Sequence, residues 1–115
     1  MKVKNQEITY KTNISDIDFN NHVNNKSYIN LAEMTIPNEF RINHILKSIS
    51  IKYCKESYLG DELICTTYRT DTKNAYVNKI EKDGTTVCEI NTDWKEVTLR
   101  NTINDFPLKI RETFD

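Results

Sequence analysis

Apolar and polar positions alternate through most of this chain, and one interval breaks the alternation. From about Val3 to Ile14, Ile8 and Tyr10 stand among polar residues, which predicts a strand. From Val23 to Ile36, Tyr28, Ile29, Leu31, Ala32 and Met34 recur at helical spacing and predict a helix with a wide apolar face. Asn24 or Asn25 can cap its start, and Pro37 ends it. Asn38 to Asn43 reads as a short helical turn or loop. Four strand-like segments follow: His44 to Ser57, Leu63 to Asp71, Ala75 to Glu81 and Thr85 to Leu99. In the first of them Ile45, Ile49, Ile51 and Tyr53 share one alternating set. Gly60-Asp61 marks a turn, and Lys82-Asp83-Gly84 marks a hairpin. The length of the last segment implies a bend or bulge near Asn91 to Trp94. Arg100 to Asp115 lose periodicity apart from Phe106-Pro107-Leu108, and read as an edge segment with a loosely held tail.

The order strand, helix, four strands in a meander predicts an α+β domain. Its antiparallel sheet needs cover on its apolar face, and the one long helix is the element able to give it. The expected architecture is a curved antiparallel sheet wrapped around a central helix. At 115 residues the chain makes one domain, residues 1–115, without repeats or linkers.

Composition narrows the function classes. The chain is 37% hydrophobic and 29% charged, with formal net charge −1. Lys and Arg are scattered among Asp and Glu, so nucleic acid and anionic membrane are not expected partners. Lys47, Lys52, Lys55 and Arg69 read as a solvated face, with an acidic partner as the alternative contact. The first seven residues carry no apolar run of a signal peptide, and no stretch has the apolar length of a membrane span. Met1 stands close before the first strand, which favours a chain that starts here over a fragment. Cys54, Cys65 and Cys88 lack any CxxC spacing and each falls in a predicted strand. They are expected to be buried free thiols in a reducing cytoplasm. No His, Cys and Asp spacing matches a metal-ligand pattern, and no metal or cofactor is expected.

The chemistry concentrates in Asp16-Ile17-Asp18-Phe19-Asn20-Asn21-His22-Val23-Asn24-Asn25-Lys26-Ser27-Tyr28, just before the helix. Asn and Asp favour turns and caps, and this is the bland reading of the stretch. In an extended segment, however, Asp18, Asn20 and His22 leave from one side. Free N–H groups at the adjacent helix start favour developing negative charge. That is a layout for attack on a carbonyl, which needs an activated water and a held oxyanion; Glu56, taken alone, reads as an exposed charge at a strand end. No Ser sits in a Gly-x-Ser-x-Gly context. His44 has no patterned neighbours and reads as structural. Glu33 reads as a helix-surface or dimer-contact residue. Tyr28, Tyr53, Tyr58, Tyr68, Tyr76 and Trp94 read as core or interface. In a regular strand, Glu56 would share a face with Ser50, Lys52 and Cys54, away from the helix. Only a bulge near Cys54, or a pocket across a dimer, would bring it to the site.

The run Asp18-Phe19-Asn20-Asn21-His22-Val23-Asn24-Asn25, with Tyr28 beyond it, resembles hotdog-fold thioesterases, above all the C-terminal half of acyl-acyl carrier protein thioesterases. The resemblance continues through Ile36-Pro37, Ile51-Lys52-Tyr53-Cys54-Lys55-Glu56 and Gly60-Asp61-Glu62-Leu63, and so spans about Ile8 to Trp94. It implies a hotdog fold and hydrolysis of an acyl thioester carried on acyl carrier protein or coenzyme A, within fatty acid biosynthesis and lipid metabolism. It also implies the roles. Asp18 orients the site or shares in activating water, Asn20 holds the substrate carbonyl or a catalytic partner, His22 hydrogen-bonds the reacting centre, and Glu56 activates the water. Asn24, Asn25 and Tyr28 are the implied substrate-binding residues, and Asp16 has a supporting role. Those relatives join two hotdog units in one chain. Here one unit stands alone, which implies a homodimer or higher homo-oligomer paired through sheet edges.

Two other readings remain. A non-catalytic acyl-thioester-binding or assembly module of the same fold ranks second, because four retained polar residues exceed what binding requires. A hotdog hydratase ranks lower, because Asp18 and His22 are spaced differently and no Pro lies between them.

Overall fold

The computed structural model describes residues 3–97 and 108–114. Local sequence explains most of the elements. Val3–Lys11 forms strand β1, with Ile8 and Tyr10 packing on the core. A 3-10 turn over Ile14–Asp16 follows, capped by Asn13. Helix α1 covers Asn25–Met34 and α2 covers Asn38–Ile42. Strands β2 (His44–Tyr53), β3 (Glu62–Arg69), β4 (Ala75–Lys82), β5 (Thr85–Glu96) and β6 (Lys109–Phe114) follow among the described residues. Asp83 and Gly84 both take the left-handed backbone (φ 49° and 79°) that a tight hairpin turn requires, and so join β4 to β5.

The strands form one sheet in the order β1-β3-β4-β5-β2-β6. This corrects the four-strand meander. Only β3, β4 and β5 are sequential neighbours; β2 pairs with β5, Ile51 opposite Ile90. Gly60-Asp61 therefore closes no β2–β3 hairpin. Its backbone bonds to Thr12 instead, beside the β1–β3 pair. The sheet is also mixed, because β6 runs parallel to β2. Residues 98–107, including Leu99 and most of the expected tail, lie outside the described residues.

Helix α1 is ten residues long, shorter at both ends than the Val23 to Ile36 span. The reasons are local: Asn24 caps its start, and the Thr35 hydroxyl donates to the Ala32 carbonyl at its end. Tyr28, Leu31 and Ala32 on its buried face join Ile49, Ile51, Leu63, Ile80, Val87 and Ile90 of the strands in the main core. Each buried Leu, Ile or Val among them contributes about 1.5–3 kcal/mol by leaving water. A buried polar contact fixes the far end of the helix to the sheet. The Asn78 amide donates to the Thr35 and Thr67 hydroxyls, each at 2.7 Å. Ile36, Tyr76 and Trp94 form a second small core with Phe40 and Leu46 packed on it. His44 stacks on Phe40 with ring centroids 3.7 Å apart, a packing role. Glu33 pairs with Arg41 on the helix surface.

Bulges interrupt the β2–β5 and β4–β5 pairings. The expected irregularity near Asn91 to Trp94 lies on the partner strand, where Lys47 of β2 is extra between Leu46 and Ser48. Strand β5 has its own irregularity nearer the Asp-Gly turn, where Val87 is extra opposite Ile80 and Glu81 of β4.

Candidate active site

Asp16 anchors the polar stretch. Its carboxylate accepts from the Tyr10 hydroxyl (2.8 Å), the Asn13 N–H (2.9 Å) and the Ser27 hydroxyl (2.9 Å). Burial alone would raise this carboxyl, but the Asn13, Tyr10 and Ser27 donors outweigh it and hold the group below its ordinary value. Asp16 thus ties β1, the 3-10 turn and the first turn of α1 together.

The next residues do not form the extended segment expected of them. The Asp18 N–H donates to the His22 carbonyl at 2.9 Å, the Asn21 N–H reaches the Asp18 carbonyl, and Asn21 takes a left-handed backbone (φ 65°). The Asp18 carboxylate closes this tight turn by accepting from the Asn20 N–H (2.8 Å) and the His22 N–H (3.1 Å). Alternation is therefore lost. Asp18, Asn20 and His22 nevertheless line one cavity, because the turn folds the segment back on itself.

That cavity is about 400 Å³, within the size range of small-molecule sites. Asn25, Tyr28 and Glu56 also line it. Asn24 does not. Its side-chain oxygen accepts from the Ser27 N–H at 3.0 Å and its amide donates to the Asp16 carbonyl at 3.0 Å. Its place is that of a helix cap. Asn24→Ala is expected to cost about 0.5–2 kcal/mol of stability, measured by urea unfolding, with ligand affinity per folded molecule unchanged.

Glu56 reaches the site through a bulge. Strand β2 ends at Tyr53, and the N–H groups of Cys54 (2.8 Å) and Lys55 (3.1 Å) both donate to the Val87 carbonyl. Two residues then stand against one, which turns the chain and breaks the alternation that would have pointed Glu56 away. The chain continues alongside the turn, with Val23 N–H bonded to the Ser57 carbonyl and His22 bridged to Tyr58. Glu56 Oε2 lies 3.2 Å from His22 Nε2.

Sequence reasoning missed three neighbours. The Tyr58 ring meets His22 edge-on at 5.3 Å, and its hydroxyl lies 3.4 Å from Glu56. Tyr58 is 44% exposed, so it is neither core nor a buried contact within this chain. Asp61 fixes this loop by accepting from the Tyr58 N–H and pairing with Lys82, each at 2.8 Å. Burial opposes the Asp61 charge, but Lys82 and the Tyr58 N–H outweigh it and hold its carboxyl low. Cys54 lies just past β2, half-buried, on the cavity wall, which corrects its expected place in a buried strand. Cys65 and Cys88 are buried as expected. Burial pushes the Cys65 thiol up to about 11 and Cys88 higher still, so both stay protonated. Phe114 of β6 is the third missed neighbour.

Tyr28 and Tyr53 form the aromatic part of the wall, with ring centroids 6.2 Å apart. Burial pushes both phenols up. The Tyr53 hydroxyl is buried without a hydrogen-bond partner among the described residues. Among these residues no group of three or more His, Cys, Asp or Glu is placed to hold a metal ion, and no helix is long and apolar enough to cross a membrane.

Comparison with known proteins identifies the family and the fold. The pattern of the acyl-ACP thioesterase C-terminal domain matches residues 1–96. Oleoyl-acyl carrier protein thioesterase 2, chloroplastic, of Arabidopsis thaliana is 35% identical over 66 residues, covering 57% of this chain and 18% of that protein. An acyl-ACP thioesterase from Bacteroides thetaiotaomicron superposes with TM-score 0.68 and 28% identity, over 76% of this chain and 36% of that one. The 12:0-ACP thioesterase from Umbellularia californica superposes with TM-score 0.76 and 21% identity, over 82% and 36%. The chain thus spans about a fifth of the curated relative and just over a third of these two structures. Its fold is the hotdog fold, and the chain belongs to the acyl-ACP thioesterase C-terminal domain family.

Proposed function

We propose that this domain hydrolyses an acyl thioester carried on acyl carrier protein or coenzyme A, by attack of a carboxylate-activated water. The observation that carries this reading is the His22–Glu56 pair at 3.2 Å, on a cavity also lined by Asp18 and Asn20. Glu56 takes a proton from water as its oxygen attacks the carbonyl carbon. Asn20 and the N–H groups at the start of α1 hold the resulting oxyanion. His22, edged by Tyr58, hydrogen-bonds the reacting centre, receives that proton from Glu56 across their 3.2 Å contact and passes it to the leaving thiolate. The products are a free acid and a thiol. Asp18 acts as a positioning residue, since its carboxylate holds the turn that carries Asn20 and His22.

Asp18, Asn20 and Glu56 are exposed. Such chemistry gains from excluded water, and we assign the missing cover to a second copy paired through a sheet edge. The same openness favours the second reading, an acyl-thioester-binding or assembly module without turnover. A thiol-release assay on acyl-CoA and acyl-carrier substrates separates the two. Release of thiol that His22→Ala abolishes supports the hydrolase. Bound acyl thioester with no thiol released supports the module.

A further inference from the structure

Strand β6 lies beyond residues 1–96, the part that matches the family pattern, yet it reaches the cavity. It pairs in parallel with β2, Phe114 opposite Tyr53. All six of its residues are exposed, so side-chain burial does little to hold it. Backbone pairing, the Thr113 hydroxyl on the Ile51 carbonyl (3.2 Å) and a ring contact help to attach it. That contact is the Phe114 ring, stacked on Tyr53 with centroids 4.9 Å apart and planes 23° from parallel. Phe114 is 70% exposed, and its ring is one of the residues that line the cavity.

We propose that Phe114 is a specificity-determining residue: it extends the Tyr28–Tyr53 aromatic wall and limits the length of acyl chain the cavity accepts. A polar part, Asp18, Asn20, His22 and Glu56, takes the thioester; the aromatic part takes the acyl group. The ring stands where methylenes beyond the first few would pass. Removing it frees the space of several methylenes, and each one newly accommodated strengthens binding about four-fold. The proposal rests on the thioester reading of the site and adds the residue that selects among acyl groups.

The test uses the full chain, as wild type, Phe114→Ala and Phe114→Trp. Saturated acyl-CoA substrates from acetyl to palmitoyl are assayed for kcat/KM, and binding of the matching non-hydrolysable alkyl-CoA thioethers is measured. Phe114→Ala is expected to raise the long-to-short ratio at least about ten-fold in both series, and Phe114→Trp to lower it. A ratio unchanged within about two-fold in both variants overturns the proposal, even where turnover is rapid. A length shift in thioether binding with no turnover in any protein supports the proposal and sinks the hydrolase reading. Absence of both binding and turnover sinks both.

Discussion

Glu56→Gln, which keeps the side chain's shape and removes its charge, is expected to lower thioester turnover by about 10²–10⁴-fold, the usual worth of a positioned general base. Folding should be almost untouched. The Glu56 side chain is 61% exposed and that of His22 31%, and a pair so open to solvent adds little to stability. The thermal midpoint is therefore expected to move by no more than about 5 °C. His22→Ala should cost turnover on a similar scale. Combining the two should cost little more than the worse single change, because groups acting in one step are not additive. Steady-state kinetics on the three proteins, with circular dichroism to confirm the fold, makes the comparison. Undiminished turnover in Glu56→Gln would remove the carboxylate from the mechanism and leave the His22–Glu56 contact as loop packing.

The second large effect falls on stability. Asp16→Ala removes one acceptor from three donors, the Tyr10 hydroxyl, the Asn13 N–H and the Ser27 hydroxyl. It is expected to destabilise the domain by about 2–3 kcal/mol and to lower the melting temperature by roughly 8–15 °C. The effect depends on pH with a definite sign. The Asp16 carboxyl is held below its unfolded value of about 3.9. Its contribution is therefore complete above that value and fades as pH falls through the lower folded value. In urea titrations the difference between wild type and Asp16→Ala should hold steady from about pH 6 to about pH 5 and narrow as pH falls from there towards about pH 2. A constant difference across that range would mean that Asp16 acts through packing and not through its charge. Asp61, held low by Lys82 and the Tyr58 N–H, adds a second acid-sensitive anchor in the loop beside His22. Acid is thus expected to loosen both sides of the site before the core opens.

Much of the molecule could be read residue by residue. Asn24 caps α1, Asp83-Gly84 turns the β4–β5 hairpin, and the alternation of Ile49, Ile51 and Tyr53 marks the inner face of β2. These follow from short-range rules: a side chain that reaches its own backbone, a backbone angle that glycine allows, and a period of two. The polar stretch was legible as chemistry for a related reason, since its donors and acceptors lie within a few residues. Its geometry was not, because Asp18 spends its carboxylate on the Asn20 and His22 N–H groups and curls the segment into a turn.

Only the tertiary structure decided the rest, and in each instance the cause lies far along the chain. Val87 gives one carbonyl to both Cys54 and Lys55, and this turns Glu56 from the outer face towards His22. No periodicity in β2 carries that information, because a bulge arises from how two strands meet. Likewise, β2 pairs with β5 and not with its successor β3, and β6 joins β2 in parallel and delivers Phe114 to the cavity. Tyr58 joins His22 through a bridge between segments distant in sequence. The sequence by itself determined which groups are present and which local elements hold them. Strand pairing at long range decided which of those groups face one another.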